Sequence, residues 1–233
     1  MIINNDGIFS QSIKTKVGVR QGGIASPKLF SIYIESLLEE IERDKNGLQL
    51  TNTKIDVLAY ADDLLLLSTT KKGLQELLNI VTSFGSKNEV KFNPDKTIYL
   101  TFNNKISRTK SEKLMDIWNG DLTLDGRDIR KSNELKYLGV IMNDENSDKP
   151  HLERRKKATQ SALAKLKSVD IINEKTNPYL KGFLYKSYIM PVLYYGMETV
   201  HLTKNVMNEI RRFEDNMLKS IYGISKYCRS TNL

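Results

Sequence analysis

The chain has 233 residues, 39% of them hydrophobic, and its 36 Lys and Arg against 28 Asp and Glu give a net charge of +8. That length holds one large domain or two small ones with a real core, and the basic excess favours polyanionic partners, nucleic acid ahead of a membrane surface. The single cysteine, Cys228, excludes an internal disulfide framework or a cysteine-based zinc site, and no apolar run approaches the length of a membrane span. With no signal-peptide core at the start, the expectation is a soluble protein of a reducing, intracellular compartment, nuclear or cytoplasmic.

Residues 1–19 read as short, polar and strand-like, with a turn at NNDG and an alternating KTKVGV at the end. RQGGIASP follows as a glycine loop, with Ser26 placed to cap a helix and Pro27 to begin it. Leu29, Phe30, Tyr33, Ile34, Leu37, Leu38 and Ile41 recur at helical spacing until Asn46-Gly47. The run at 55–67 suits a strand–turn–strand hairpin divided by Asp62 and Asp63. Leu74, Leu77, Leu78, Val81 and Phe84 predict a second helix ending at Gly85, and VKFNPDKTIYLTF a turn followed by a strand. Asp125-Gly126 marks a tight hairpin turn, and KYLGVIM reads as one more strand. An acidic, turn-rich linker, NDENSDKP at 143–150, leads into three helices. The first carries Leu152, Leu163 and Leu166, the second runs from Tyr179 to Ile189 and stops at Pro191, and the third runs from Val206 to Ile221 before Gly223. The fold class is α+β.

VLAYADDLLLL at 57–67 sets two neighbouring carboxylates in an apolar run. Burying one unpaired carboxylate costs several kcal/mol, so a partner is required. Adjacent residues of a straight strand face opposite ways, so Asp62 and Asp63 converge only at a turn. Converging carboxylates suit a hard divalent cation, Mg²⁺ with Mn²⁺ as a substitute, held together with substrate phosphates.

The succession VGVRQGGIASPKLF then YADDLLLL resembles the reverse transcriptase palm, and GVRQGG-x-x-SP-x-LF is similar to the LINE-type (non-LTR) retrotransposon polymerases. Downstream, FNPDKT (92–97) resembles the lysine-bearing loop after the catalytic hairpin, KYLGV (136–140) the strand that grips the primer end, and PVLYYGMETV (191–200) the thumb signature. The resemblance implies a partial palm over 1–145 and a helical thumb or connection region over 150–233. It implies RNA-directed DNA synthesis by two-metal nucleotidyl transfer on an RNA template, a DNA primer and a deoxynucleoside triphosphate. Asp62 becomes the metal-binding carboxylate and Asp63 its less directly engaged neighbour. Gln21 and Gly22 lie along the incoming nucleotide and template, and Tyr60 beside the primer end. Lys96 protonates or balances the leaving pyrophosphate, or is simply solvated. Arg20 contacts phosphate or forms a structural ion pair. The basic run Arg154, Arg155, Lys156 and Lys157 lies on a thumb helix and contacts backbone phosphates.

The family takes a third catalytic aspartate from a strand well upstream of the glycine loop. The only aspartate before Arg20 is Asp6, in a turn. The expectation is therefore a fragment lacking the fingers and that aspartate, inactive alone and needing a missing N-terminal polymerase segment. The alternative is a decayed, non-catalytic nucleic-acid-binding remnant, or a relic without function.

Overall fold

The computed structural model describes residue 2 and residues 4–12, 18–102, 120–225 and 227–228. Of the expected KTKVGV strand only Gly18 and Val19 are among them; the rest lies outside the described residues. The fold is α+β, long helices with short antiparallel hairpins, in two compact units. One is drawn from residues 1–98 and 107–130, the other from 99–106 and 131–233.

In the first unit, β1 (Asn4–Asn5) and β2 (Ile8–Phe9) pair across a turn at Asp6 and Gly7, both at positive φ. Helix α1 (Ser26–Arg43) packs on α2 (Lys71–Asn88), burying Ile34, Leu37 and Ile41 against a face of Leu77, Leu78, Val81 and Phe84. These are the helical positions that the sequence spacing selects. Tyr33 meets Phe84 edge-on at 6.3 Å between ring centroids, and its hydroxyl donates to the Asn88 carbonyl at the end of α2. Two local expectations fail. Ser26 does not cap α1; its hydroxyl instead donates to the Arg20 carbonyl at 2.6 Å. Gly85 does not end α2, which continues to Asn88 before Glu89 turns left-handed at φ 55°. Gly85 is there for close approach, since a Cβ would lie 2.7 Å from the Val90 carbonyl.

Between α1 and α2 lie two hairpins, β3 (Leu48–Leu50) with β4 (Thr53–Ile55), and β5 (Val57–Tyr60) with β6 (Asp63–Leu66). After the two-residue strand β7 (Ile98–Tyr99), β8 (Thr123–Leu124) and β9 (Arg127–Asp128) close through Asp125 (φ 52°) and Gly126 (φ 72°), the paired positive φ of the expected turn. Gln75 of α2 serves as a strand substitute for β8, exchanging two hydrogen bonds with the Thr123 main chain at 2.8 and 3.0 Å.

In the second unit, which follows the short β10 (Arg130–Lys131), KYLGVIM is a hairpin rather than one strand. β11 (Glu134–Tyr137) turns through Leu138 (φ 47°) and Gly139 (φ 85°) into β12 (Val140–Asn143). Leucine at positive φ costs about 1–2 kcal/mol, so Leu138 is not a residue that marks a turn. NDENSDKP is an ordered turn: Asn143 is buried and exchanges bonds of 2.8 and 3.0 Å with the Ser147 main chain.

Helix α3 (Lys149–Ser168) follows, then α4 (Pro178–Leu184), α5 (Met190–Tyr194) and α6 (Lys204–Tyr222). Pro191 does not stop its helix. A π-turn at Tyr185–Ile189 widens the backbone ahead of the proline, which has no N–H to give and would crowd the Ser187 carbonyl in a regular helix. Thr203 caps α6 by accepting from the Val206 N–H, and Gly223 closes it at φ 70°. The core joins Leu163, Leu184, Ile189, Met217 and Ile221, with a second cluster of Leu152, Leu193, Met197 and Ile210.

Of Tyr185, Tyr188, Tyr194 and Tyr195 in this region, only Tyr185 is buried. Tyr185 and Tyr194 both donate to Glu214 of α6, Tyr194 at 2.9 Å. Burial and then this hydrogen bond push the Tyr194 hydroxyl up to about 12 and that of Tyr185 further still. The folded state holds these protons more tightly than the unfolded chain. The stability they confer is complete below the ordinary tyrosine value of 10.0 and is lost as pH rises through about 12. The thermal midpoint should therefore fall over this window, and Tyr194→Phe should flatten the fall; an unchanged slope would contradict the clamp.

Candidate active site

The YADD segment forms the tight hairpin its sequence suggests. Tyr60 pairs with Asp63, leaving Ala61 and Asp62 as a two-residue turn in which Ala61 sits at φ 52°. Only the first turn residue has positive φ, the sign pattern of a type II′ turn. The hairpin tip is open to solvent: Tyr60, Ala61, Asp62 and Asp63 are all exposed. This corrects the premise that the pair is buried. Two carboxylates at an exposed tip carry little desolvation cost and need no internal partner.

The buried acid is Asp56, just before β5, whose side chain is 1% exposed. Lys54 answers it with a 2.7 Å ion pair and donates to the carbonyls of Glu42, at 2.6 Å, and of Asp44. One ammonium thus uses all three of its protons. It binds the end of α1, where the carbonyls lack helical partners, to the foot of the YADD hairpin. The other foot is tied alongside: Leu67 N–H donates to the Asp56 carbonyl at 2.7 Å, and the Ser68 hydroxyl to the Asn46 carbonyl at 2.6 Å. Lys54 and Asp56 stand two apart in an extended stretch and so share a face, and that spacing is the one sequence signal of the pair.

The other end of α1 carries the glycine loop. Arg20 carbonyl accepts both the Gly23 N–H at 3.0 Å and the Ser26 hydroxyl. Gly22 is at φ 78°, and a Cβ on Gly23 would meet Ser26 Oγ at 2.6 Å. Gly22 is therefore favoured by its backbone conformation, and Gly23 by the Ser26 hydroxyl packed against it, whatever ligand the loop faces. Arg20, Gln21 and Gly22 are exposed, and so is Lys96, in an asparagine-anchored turn where Asn93 Oδ1 accepts from the Asp95 N–H at 2.9 Å. No hydrogen bond or ion pair among the described residues joins Lys96 or the glycine loop to Asp62 and Asp63.

The basic run on α3 divides by helical phase. Arg155 and Lys156 lie on the face of the buried Leu152, Thr159 and Leu163. Lys156 is paired with both Glu153, at 2.9 Å, and Glu209 of α6. Burial lowers its proton affinity, but the two carboxylates outweigh this and the net shift is upward. Arg155 stacks over the Tyr195 ring at 5.4 Å. Arg154 and Lys157 point to solvent, and Lys165 extends their face. The four-residue patch therefore reduces to two exposed cations. His151, to which the sequence assigned no role, is buried, accepting from the Ile141 N–H at 3.3 Å and donating through Nε2 to the Tyr195 carbonyl at 3.1 Å.

A family model described as reverse transcriptase (RNA-dependent DNA polymerase) matches residues 2–142. The chain belongs to the reverse transcriptase family. It is similar to the RNA-directed DNA polymerase from mobile element jockey of Drosophila melanogaster, 24% identical over 99% of this chain and 24% of that protein. The Pol polyprotein from type-1 retrotransposable element R2 of Popillia japonica is 26% identical over 96% of this chain and 35% of its own length. The probable RNA-directed DNA polymerase from transposon BS of Drosophila melanogaster is 25% identical over 94% and 24% respectively. These relatives bear out the LINE-type, non-LTR character read from the motifs. The chain spans about a quarter to a third of the length of these relatives.

The clamp at the foot of the YADD hairpin constrains its neighbour Gly47. A Cβ on Gly47 would fall 1.2 Å from Asp56 Oδ1, so Gly47→Ala must displace the buried carboxylate. Overpacking of this kind costs about 1–3 kcal/mol, to be read from chemical denaturation. A loss below about 0.5 kcal/mol, the range of ordinary surface changes, would show that Asp56 is not confined there.

Proposed function

We propose that the chain supplies part of a retrotransposon reverse transcriptase, a partial palm over 1–145 and a helical thumb-like region over 150–233. It acts in two-metal nucleotidyl transfer that extends a DNA primer on an RNA template. The observation that carries the reading is the YADD hairpin, with Asp62 and Asp63 at a solvent-open tip on feet locked to α1.

The donor chemistry fits a hard divalent ion. Asp62 and Asp63 would hold Mg²⁺, or Mn²⁺, which supplies charge neutralisation for nucleotide phosphates. The exposed Arg20, Gln21 and Gly22 line the nucleotide and template, with Gly22 letting backbone approach closely. Tyr60 offers its exposed ring to the primer end, and Lys96 its charge to the departing pyrophosphate. Arg154 and Lys157 contact backbone phosphates without reading sequence, and no helix among the described residues is long and apolar enough to cross a membrane.

Among the described residues no three potential metal ligands come together. Two carboxylates on one turn are a poor host for two ions, so this chain alone should give no RNA-templated primer extension with Mg²⁺ or Mn²⁺. Synthesis abolished by Asp62→Asn would contradict this. The same count of carboxylates suits a non-catalytic nucleic-acid-binding remnant. Supplying the upstream polymerase segment of a relative in trans separates the two, since only the enzyme reading predicts restored, Asp62-dependent synthesis.

Binding gives a second check. Arg154→Ala and Lys157→Ala should each weaken binding to an RNA–DNA hybrid and lower the log–log salt slope by about 1. Lys156→Ala should instead lower the melting temperature and leave the slope nearly unchanged. Equal slopes for all three variants would remove α3 from the nucleic-acid surface.

A further inference from the structure

We propose that Tyr195 is a positioning residue that fixes the tip of the β11–β12 hairpin, and through it the seat of a recessed primer 3′ end. The inference rests on the reading of KYLGV as the primer-gripping element.

Tyr137, Val140, Ile141 and Met142 are only half-buried, and an open cavity of about 540 Å³ lies behind them, bounded by Ser147, Asp148 and the Tyr195–Thr199 segment. A two-stranded hairpin over such a void is marginally stable on its own. Its tip also contains Leu138 at φ 47°, a backbone state that leucine disfavours. Tyr195 meets this point directly. Its hydroxyl donates to the Leu138 carbonyl at 2.7 Å, and its ring lies where a Cβ on Gly139 would come within 2.7 Å.

The ring is itself fixed from two sides. The Arg155 guanidinium covers it at 5.4 Å, and His151 holds the Tyr195 carbonyl while accepting from the Ile141 N–H of β12. One side chain of α3 thus grips both the hairpin and the segment that carries the tyrosine. Leu138 is exposed at the tip, so what Tyr195 places is a solvent-facing surface rather than a core contact. This gives the YYG stretch of the thumb signature a task that its sequence does not announce.

The test measures binding of the full chain by fluorescence anisotropy to two probes of equal length. One is an RNA–DNA hybrid with a recessed DNA 3′ end, the other the same hybrid with flush ends. Wild type should prefer the recessed end. Tyr195→Phe keeps the ring and its arginine contact and removes only the hydroxyl; it should cut that preference about fivefold, the ratio one neutral hydrogen bond supplies. Tyr194→Phe removes a neighbouring tyrosine hydrogen bond, to Glu214, and should leave the preference intact. Full preference in Tyr195→Phe, or equal loss in both variants, would overturn the positioning role while leaving the primer-grip reading in place. No preference in the wild type would overturn that reading and this inference with it.

Discussion

A two-stranded hairpin is marginal in water unless something outside it holds it in place, and both hairpins that carry this chain's motifs are two-stranded. Among the described residues neither pairs with a third strand. The position of each is therefore set by side chains from helices and loops, and these clamps do what a wider sheet would do elsewhere. At the YADD hairpin the clamp is Lys54, whose ammonium is shared by a buried carboxylate and two helix-end carbonyls. At the KYLGV hairpin it is Tyr195, backed by Arg155 and His151.

The two clamps work by different means. Lys54 and Asp56 form a mostly buried ion pair, and removing one partner of such a pair costs far more than the pair contributes to net stability. The attachment of α1 to the hairpin is thus nearly all-or-none. Because α1 carries the glycine loop at its first turn and this clamp at its last, the spacing of two motifs is passed along one rigid element. The Tyr195 clamp is a single neutral hydrogen bond on a half-exposed ring, worth far less. It tunes the position of a hairpin tip rather than deciding whether the unit folds.

The parts of the structure legible in the sequence were those fixed by local chemistry. The Asp62-Asp63 pair and Asp125-Gly126 mark their hairpins, Gly223 marks the end of α6, and apolar spacing places α1, α2 and α3. What stayed hidden was decided by contacts distant in sequence. Leu138 gives no turn signal because the bond that steadies it comes from Tyr195, 57 positions away. Pro191 reads as a stop because the π-turn that absorbs it has no composition of its own. Arg155 and Lys156 looked like half of a phosphate-binding run until their phase with Leu152 and Thr159 placed them on the inner face. In the YADD hairpin the exposed Asp62 and Asp63 are conspicuous in the sequence, while the acid that holds the hairpin, Asp56, is buried and carries no motif.

The YADD hairpin owes its position to the Lys54 clamp. Hydrogen–deuterium exchange over residues 57–66 in wild type and Lys54→Met tests it most directly. The clamp predicts that these amides lose protection in the variant while those of α6, in the other unit, keep theirs. Unchanged protection of 57–66 in a folded Lys54→Met protein would contradict it.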